Sequence, residues 1–237
     1  MPLAEPNPAI LEDLVTGNQI LYRYKVVDAF GHLSVRHDKD PTKYLMSRHL
    51  PPGLVTPADI LAFDFDSNPV VDIGKRYYSE RFIHGEIYRI RPDVKAIVHC
   101  HTPELIPFAA TRTTLKPIYH MSAFLAGGTA QFDIRNKAGM TDMLVRTPEL
   151  GKDLAEALDD KPIVLMRGHG ATIVGDSIRQ VVHRAMYAMQ NAALQVEAMR
   201  LGEPIYLADE EADLVQQYNE RSQDRAWAQW KAEVEGD

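Results

Sequence analysis

The chain has a single cysteine among 237 residues, so it has no intrachain disulfide framework, and a reducing compartment is expected. No apolar run approaches the roughly 18 residues that a membrane span needs. The first residues, Met1-Pro2-Leu3-Ala4-Glu5-Pro6, lack the basic and apolar regions of a secretory signal, which points to the cytoplasm. Lysine and arginine total 26 against 33 acids, for a net charge of −7. They form no basic tract, so neither nucleic acid nor an anionic membrane surface is an expected partner. Repeats, low-complexity stretches and Gly/Ser linkers are also missing. Residues 1–237 therefore read as one domain, with a helical C-terminal extension over about 203–237. The remaining composition, 45% hydrophobic and 25% charged, is that of an ordinary globular chain long enough for a substantial core.

Periodicity predicts a helix over 8–30, though its apolar positions sit only roughly at helical spacing. A strand pair follows, from His32-Leu33-Ser34-Val35-Arg36 to Tyr44-Leu45-Met46-Ser47, joined by the hydrophilic stretch 37–42. Thr56-Pro57-Ala58-Asp59 reads as a helix start. Residues 60–65 and 69–73 read as short strands around a turn, and 79–91 as a helix ended by Pro92. Thr102-Pro103-Glu104 opens another helix, and Thr147-Pro148-Glu149 one that runs to about Asp159. Strands are expected over 162–166 and 171–174, a long amphipathic helix over 177–200, and a more polar one over 209–233. Strands and helices interleave, yet several strands are joined by short turns. The expected fold is α/β: a mixed, largely antiparallel sheet with helices on both faces.

The run Val94-Lys95-Ala96-Ile97-Val98-His99-Cys100-His101 ends in a His-x-His pair. Alternate residues of a strand share a face, so two imidazoles can converge there on one ion, while Cys100 points the other way into the core. The pair ends an apolar strand, where unpartnered imidazoles would be costly. A third histidine, His169, sits in Arg167-Gly168-His169-Gly170, where flanking glycines permit a tight turn and close approach. Glu80 opens the 79–91 helix, with His84 four residues on and on the same face. It is either an acid that stabilises the helix N-terminus or a carboxylate that ligates the resting ion and then manages a proton. Three imidazoles and a carboxylate around an open position are what a Lewis-acid enzyme requires.

Taken as a set, Ser79-Glu80, Arg91-Pro92-Asp93-Val94-Lys95-Ala96-Ile97-Val98-His99-Cys100-His101 and Arg167-Gly168-His169-Gly170 resemble the class II aldolase/adducin superfamily from about residue 10 to residue 200. Gly31-His32-Leu33-Ser34-Val35-Arg36 is similar to its Gly-Asn-x-Ser-x-Arg segment. The resemblance implies a three-layer α/β/α fold and a homotetramer with active sites at subunit interfaces. It also implies metal ligation by His99, His101 and His169, with a catalytic Glu80. The phosphate-binding parts depart from the pattern. His32 stands for the asparagine, Tyr44–Leu50 for a glycine turn, and Tyr78 for a serine. A phosphate needs several converging donors, so a phosphorylated sugar is disfavoured.

The replacements (among them His32, Arg36, Arg48, His49, Tyr78 and Arg81) are bulky, aromatic and basic, which suits a flat carboxylic acid. They resemble the decarboxylase branch, typified by 3-hydroxy-2-methylpyridine-4,5-dicarboxylate decarboxylase and dihydroxyphthalate decarboxylases. The expected activity is metal-dependent, non-oxidative decarboxylation of an ortho-hydroxy aromatic carboxylate or dicarboxylate. Glu80 and His84 would manage protons, and His32, Ser34, Arg36, Ser79 and Arg81 would bind substrate. A second carboxylate would pair with Arg36 or Arg81. One divalent ion per subunit is implied, with manganese favoured by the resemblance and zinc the alternative for three histidines. Three rivals stay open: an aldolase acting on an unphosphorylated hydroxy-ketone or hydroxy-acid, a non-catalytic adducin-like scaffold, and an iron-dependent oxygenase.

Overall fold

The structure, a computed structural model, describes residues 4–236. Strands β1 (His32–Arg36), β2 (Lys43–Ser47), β3 (Ile60–Asp64), β4 (Ala96–Cys100), β5 (Ala130–Phe132), β6 (Ile163–Met166) and β7 (Gly170–Gly175) form one sheet. Its order is β3-β2-β1-β4-β7-β6-β5. Every pairing is antiparallel except β5 with β6, so the sheet is mixed and largely antiparallel, as expected. The helices are α1 (Pro8–Arg23), α2 (Arg81–Ile90), α3 (Ile106–Ala110), α4 (Arg135–Ala138), α5 (Pro148–Leu158), α6 (Ile178–Leu201) and α7 (Asp209–Glu235).

Strand alternation sorts the core into two layers. On β4, Ala96, Val98 and Cys100 face a layer shared with Leu14 of α1, Val181 of α6 and Trp227 of α7. Ile97 faces the opposite layer, with Ile83 and Ile87 of α2 and Leu154 of α5. Helices thus cover both faces, and Cys100 packs away from its histidine neighbours. The only two tryptophans, Trp227 and Trp230, lie on α7 and are buried against the body. Trp230 packs edge-on to Tyr24 and near His183 and Tyr187. Ion pairs Lys231–Glu12 and Arg179–Asp224 tie the same helix to α1 and α6.

Several local expectations hold because the end signals are strong. Thr147 and Ser177 cap α5 and α6 through their hydroxyls, and β1 and β2 pair around the polar turn. Others need correction. The first helix stops at Arg23 rather than residue 30, and Lys25 turns the chain with φ of 61°. Val26 and Val27 then enter the core from a loop, which explains their imperfect helical spacing. Thr56–Asp59 forms a capping box around a single 3-10 turn, because β-forming Ile60–Asp64 follows at once. Residues 69–73 make only a bridge between Phe63 and Pro69, since proline offers no N–H for a ladder. The helix after His101 begins only at Ile106 and is five residues long. The short strand β5 and a 3-10 helix at His120–Gly127 carried no periodic signal.

The β6–β7 turn is where glycine is obligatory. Gly168 has φ of 66°, a region that side chains with a Cβ rarely enter. A Cβ on Gly170 would overlap the carbonyl of Cys100, because β7 lies against the end of β4. Gly170→Ala is therefore expected to cost at least about 1–3 kcal/mol through overpacking, and to lower the melting temperature by about 2–10 °C. Thermal unfolding followed by far-UV circular dichroism checks this.

Candidate metal centre and its cavity

On β1 the even positions His32, Ser34 and Arg36 face α2, and all three are buried. A buried polar face is tolerated only if its groups are paired. Ser34 Oγ lies 2.6 Å from His84 Nδ1 and 2.8 Å from Tyr88 Oη. His84 Nε2 lies 2.7 Å from His32 Nδ1. The Arg36 guanidinium donates to the carbonyls of Val94, Pro41, Tyr88 and Arg91, and it sits over the Phe65 and Tyr88 rings. These side chains clamp α2 to the sheet.

Register then builds the centre. His32 pairs with His99 across β1–β4, and His99 with Thr172 across β4–β7. The His32 and His99 rings stack at 4.9 Å. His101 lies just past the end of β4, and His169 in the β6–β7 turn beside it. Nε2 of His101 is 3.2 Å from that of His99 and 3.1 Å from that of His169. Glu80, the residue before α2, is buried, and its side chain makes no capping bond. Its Oε1 accepts the Val145 N–H at 2.9 Å. Its Oε2 stands 3.7 Å from His99 Nε2 and 3.5 Å from His169 Nε2.

The four residues Glu80, His99, His101 and His169 offer ligand atoms all within 4.8 Å of one another. Nitrogens about 2.0–2.2 Å from one ion would lie roughly 2.8–3.6 Å apart, from a right-angled to a tetrahedral arrangement, and the observed spacing falls inside that range. The outer contacts fit as well. His169 Nδ1 donates to the Met143 carbonyl, and His99 Nδ1 meets the Thr172 hydroxyl at 3.2 Å; both leave Nε2 as the ligating atom. Burial holds His99 and His32 well below the ordinary histidine range and lowers His101, which keeps them neutral. Burial also pulls on His169, but the hydrogen bond and charge of Glu80 outweigh it and raise its value.

A cavity of about 730 Å³ opens onto the cluster. Phe30, Leu50, Pro51, Tyr78 and Leu144 supply its apolar walls, and His32, Glu80 and His101 its polar floor. Tyr78 packs 4.7 Å from the His32 ring. Of the residues expected to bind substrate, His32 and Ser79 line this space. Ser34, Arg36 and Arg81 do not. Ser34 is wholly buried beneath His84, and Arg36 is held at the other end of β1. Arg81 donates to the carbonyls of Ser67 and Tyr78, and Arg48 pairs with Asp59 at 2.7 Å. These three arginines are bound to the protein's own carbonyls and carboxylates, so of the basic replacements only His32 and His49 reach the cavity. His84 is also absent from the lining; it is fully buried, which pushes it down to about 3, and it meets the cavity only through its contact with His32. Sequence reasoning missed the Val145 N–H and the walls Phe30, Leu50 and Leu144. All lie in loops, and the one available signal was a lone phenylalanine beside Gly31 ahead of β1.

Comparison with known proteins agrees with this geometry. The Class II Aldolase and Adducin N-terminal domain matches residues 12–196, and the chain belongs to that family. It is 36% identical to Decarboxylase tropJ of Talaromyces stipitatus, over 93% of this chain and 92% of the relative. It is 31% identical to a 3,4-dihydroxyphthalate decarboxylase of Arthrobacter keyseri, over 61% and 59%. An aldolase II superfamily protein from Pseudomonas syringae has the same fold, with a TM-score of 0.80, 20% identity and coverage of 99% and 95%.

Proposed function

We propose that the protein is a metal-dependent, non-oxidative decarboxylase of an ortho-hydroxy aromatic acid. The observation that carries this reading is the convergence of three imidazole Nε2 atoms and the Glu80 carboxylate at the floor of an apolar-walled cavity. Decarboxylase relatives support it. A divalent cation held by His99, His101 and His169, manganese by preference and zinc as the alternative, would stabilise negative charge on the substrate's ortho oxygen.

The chain's own residues then have defined tasks. Tyr78 and Phe30 flank a flat ring, and His32 offers its free edge to an oxygen of the bound acid. Glu80, steadied through Oε1 by Val145, directs Oε2 at the reacting centre. It delivers a proton to the ring carbon that bears the carboxylate, and the carbon–carbon pair falls back onto the ring and its oxygen as CO2 leaves. One proton is consumed and one CO2 released per turnover. The apolar walls favour loss of the charged carboxylate as neutral CO2 by excluding water.

The reading includes a single family domain with residues 203–237 as an extension, and a homotetramer in the cytoplasm with sites at subunit interfaces. Leu201 and Ile205, 91% and 92% exposed, support a partner chain on that side. Among the described residues no helix is long and apolar enough to cross a membrane. The test is CO2 release from a panel of hydroxy-aromatic acids by manganese-loaded protein, abolished by chelation and restored by metal. Aldehyde formation without CO2 would replace this reading with aldol cleavage. Stable protein that holds no metal would indicate a scaffold.

A further inference from the structure

We propose that His32 meets the substrate as a fixed hydrogen-bond donor, its proton held on Nε2 by Ser34 acting through His84. This rests on the decarboxylase reading for the class of ligand and deepens it; the place of the proton is a property of the chain alone. His32 lines the cavity beside Glu80 and His101, and its ring is held between Tyr78 at 4.7 Å and His99 at 4.9 Å. His84 Nε2 takes its Nδ1 at 2.7 Å. Among the described residues nothing meets Nε2, so this is the ring nitrogen left for a ligand. Ser34, His84 and Tyr88, which stand behind the ring, are buried within one subunit, so a neighbouring chain at the site leaves their order as it is.

The proton's place follows from what each atom can give and take. Burial pushes the Tyr88 phenol up, so it keeps its proton. Two acceptors are in reach: Ser34 Oγ at 2.8 Å and the Lys95 carbonyl at 3.5 Å. That carbonyl already accepts the Arg36 N–H at 2.7 Å, and the longer contact exceeds an ordinary O–H···O bond. Tyr88 therefore donates to Ser34. The one Ser34 proton is left for His84 Nδ1, 2.6 Å away. His84, kept neutral by full burial, then carries its single proton on Nε2 and gives it to His32 Nδ1. The His32 proton sits on Nε2, the nitrogen that faces the cavity. The reverse order would leave Tyr88 only its long contact. Rings packed on both faces of His32 keep its two nitrogens from changing places. A neutral N–H beside the centre selects an acceptor, a carboxylate or phenolate oxygen, and holds it without adding charge.

The experiment has two arms, both on zinc-loaded protein, which is diamagnetic. Long-range proton–nitrogen correlation NMR on histidine-labelled protein reads the tautomer, with the His32 signals assigned by their loss in His32→Gln. Wild-type protein should show a protonated Nε2 and a bare Nδ1 at His32. Ser34→Thr keeps the hydroxyl and should keep that form, whereas Ser34→Ala should admit the other to at least about a tenth of the population. In the second arm, titration calorimetry measures 2-hydroxybenzoate, with metal content checked in each variant. His32→Leu should bind at least about tenfold more weakly, and His32→Gln, which keeps an N–H donor, within about threefold of wild type. A bare Nε2 in wild-type protein, an order that Ser34→Ala leaves unchanged, His32→Leu binding as wild type does, or no binding by wild-type protein would overturn the inference. CO2 release is scored separately. The expected tautomer and binding without CO2 would sink the decarboxylase reading and leave the donor role of His32 standing.

Discussion

His169→Ala protein should purify folded yet carry less than about a tenth of the wild-type metal, and its CO2 release should fall at least about a thousandfold. The side chain sits in a turn and is absent from both hydrophobic layers, so the far-UV circular dichroism spectrum should not change. What disappears is the one imidazole that comes from outside the His-x-His strand, and with it the Nδ1 contact to the Met143 carbonyl that orients the ring. His99 and His101 with the Glu80 carboxylate leave two nitrogens where three converged, which holds a divalent ion more weakly. Elemental analysis of protein prepared without chelator gives the first number, and CO2 detection the second. Full metal content with full activity would show that the ion, if there is one, sits elsewhere.

Glu80→Gln should separate holding the metal from moving the proton. The amide oxygen can still accept the Val145 N–H that Oε1 accepts now, and three imidazoles remain to bind the ion, so metal content should stay within about twofold of wild type. The amide cannot deliver a proton, and kcat is expected to fall about 10²–10⁴-fold, the usual contribution of a positioned general acid. Substrate affinity should change little, because the apolar walls that cradle the ring are untouched. A variant that keeps most of its turnover would remove Glu80 from the proposed chemistry.

The centre was legible in the sequence because its ligands come from local patterns. A strand ending in His-x-His aligns two rings without help, and a glycine-flanked histidine marks a tight turn whose backbone must approach its neighbour closely. The Thr147-Pro148-Glu149 start likewise announced α5, and an amphipathic pattern announced α6. The substrate side was not legible, and Arg36 shows why. A guanidinium's five donors suit a carboxylate equally whether it belongs to substrate or protein, and here they reach carbonyls of α2, of the loop after it and of the β1–β2 turn. Only the three-dimensional path reveals that choice. His84 shares a helical face with Glu80 on paper, yet it lies fully buried behind His32. Phe30, Leu50 and Leu144 meet from loops far apart in the chain, and β5 is three residues without alternation, so neither leaves a periodic trace.

Both indoles of the molecule lie on α7, Trp230 beside Tyr24, His183 and Tyr187 and Trp227 beneath the Arg179 guanidinium, far along the chain from every candidate ligand of the centre. Intrinsic emission excited at the indole band therefore monitors chiefly the seating of the terminal helix on the core layer it shares with α1, α6 and one face of the sheet. A denaturation curve recorded that way, laid over one from the amide backbone, tells whether this last helix peels off first or melts together with the rest.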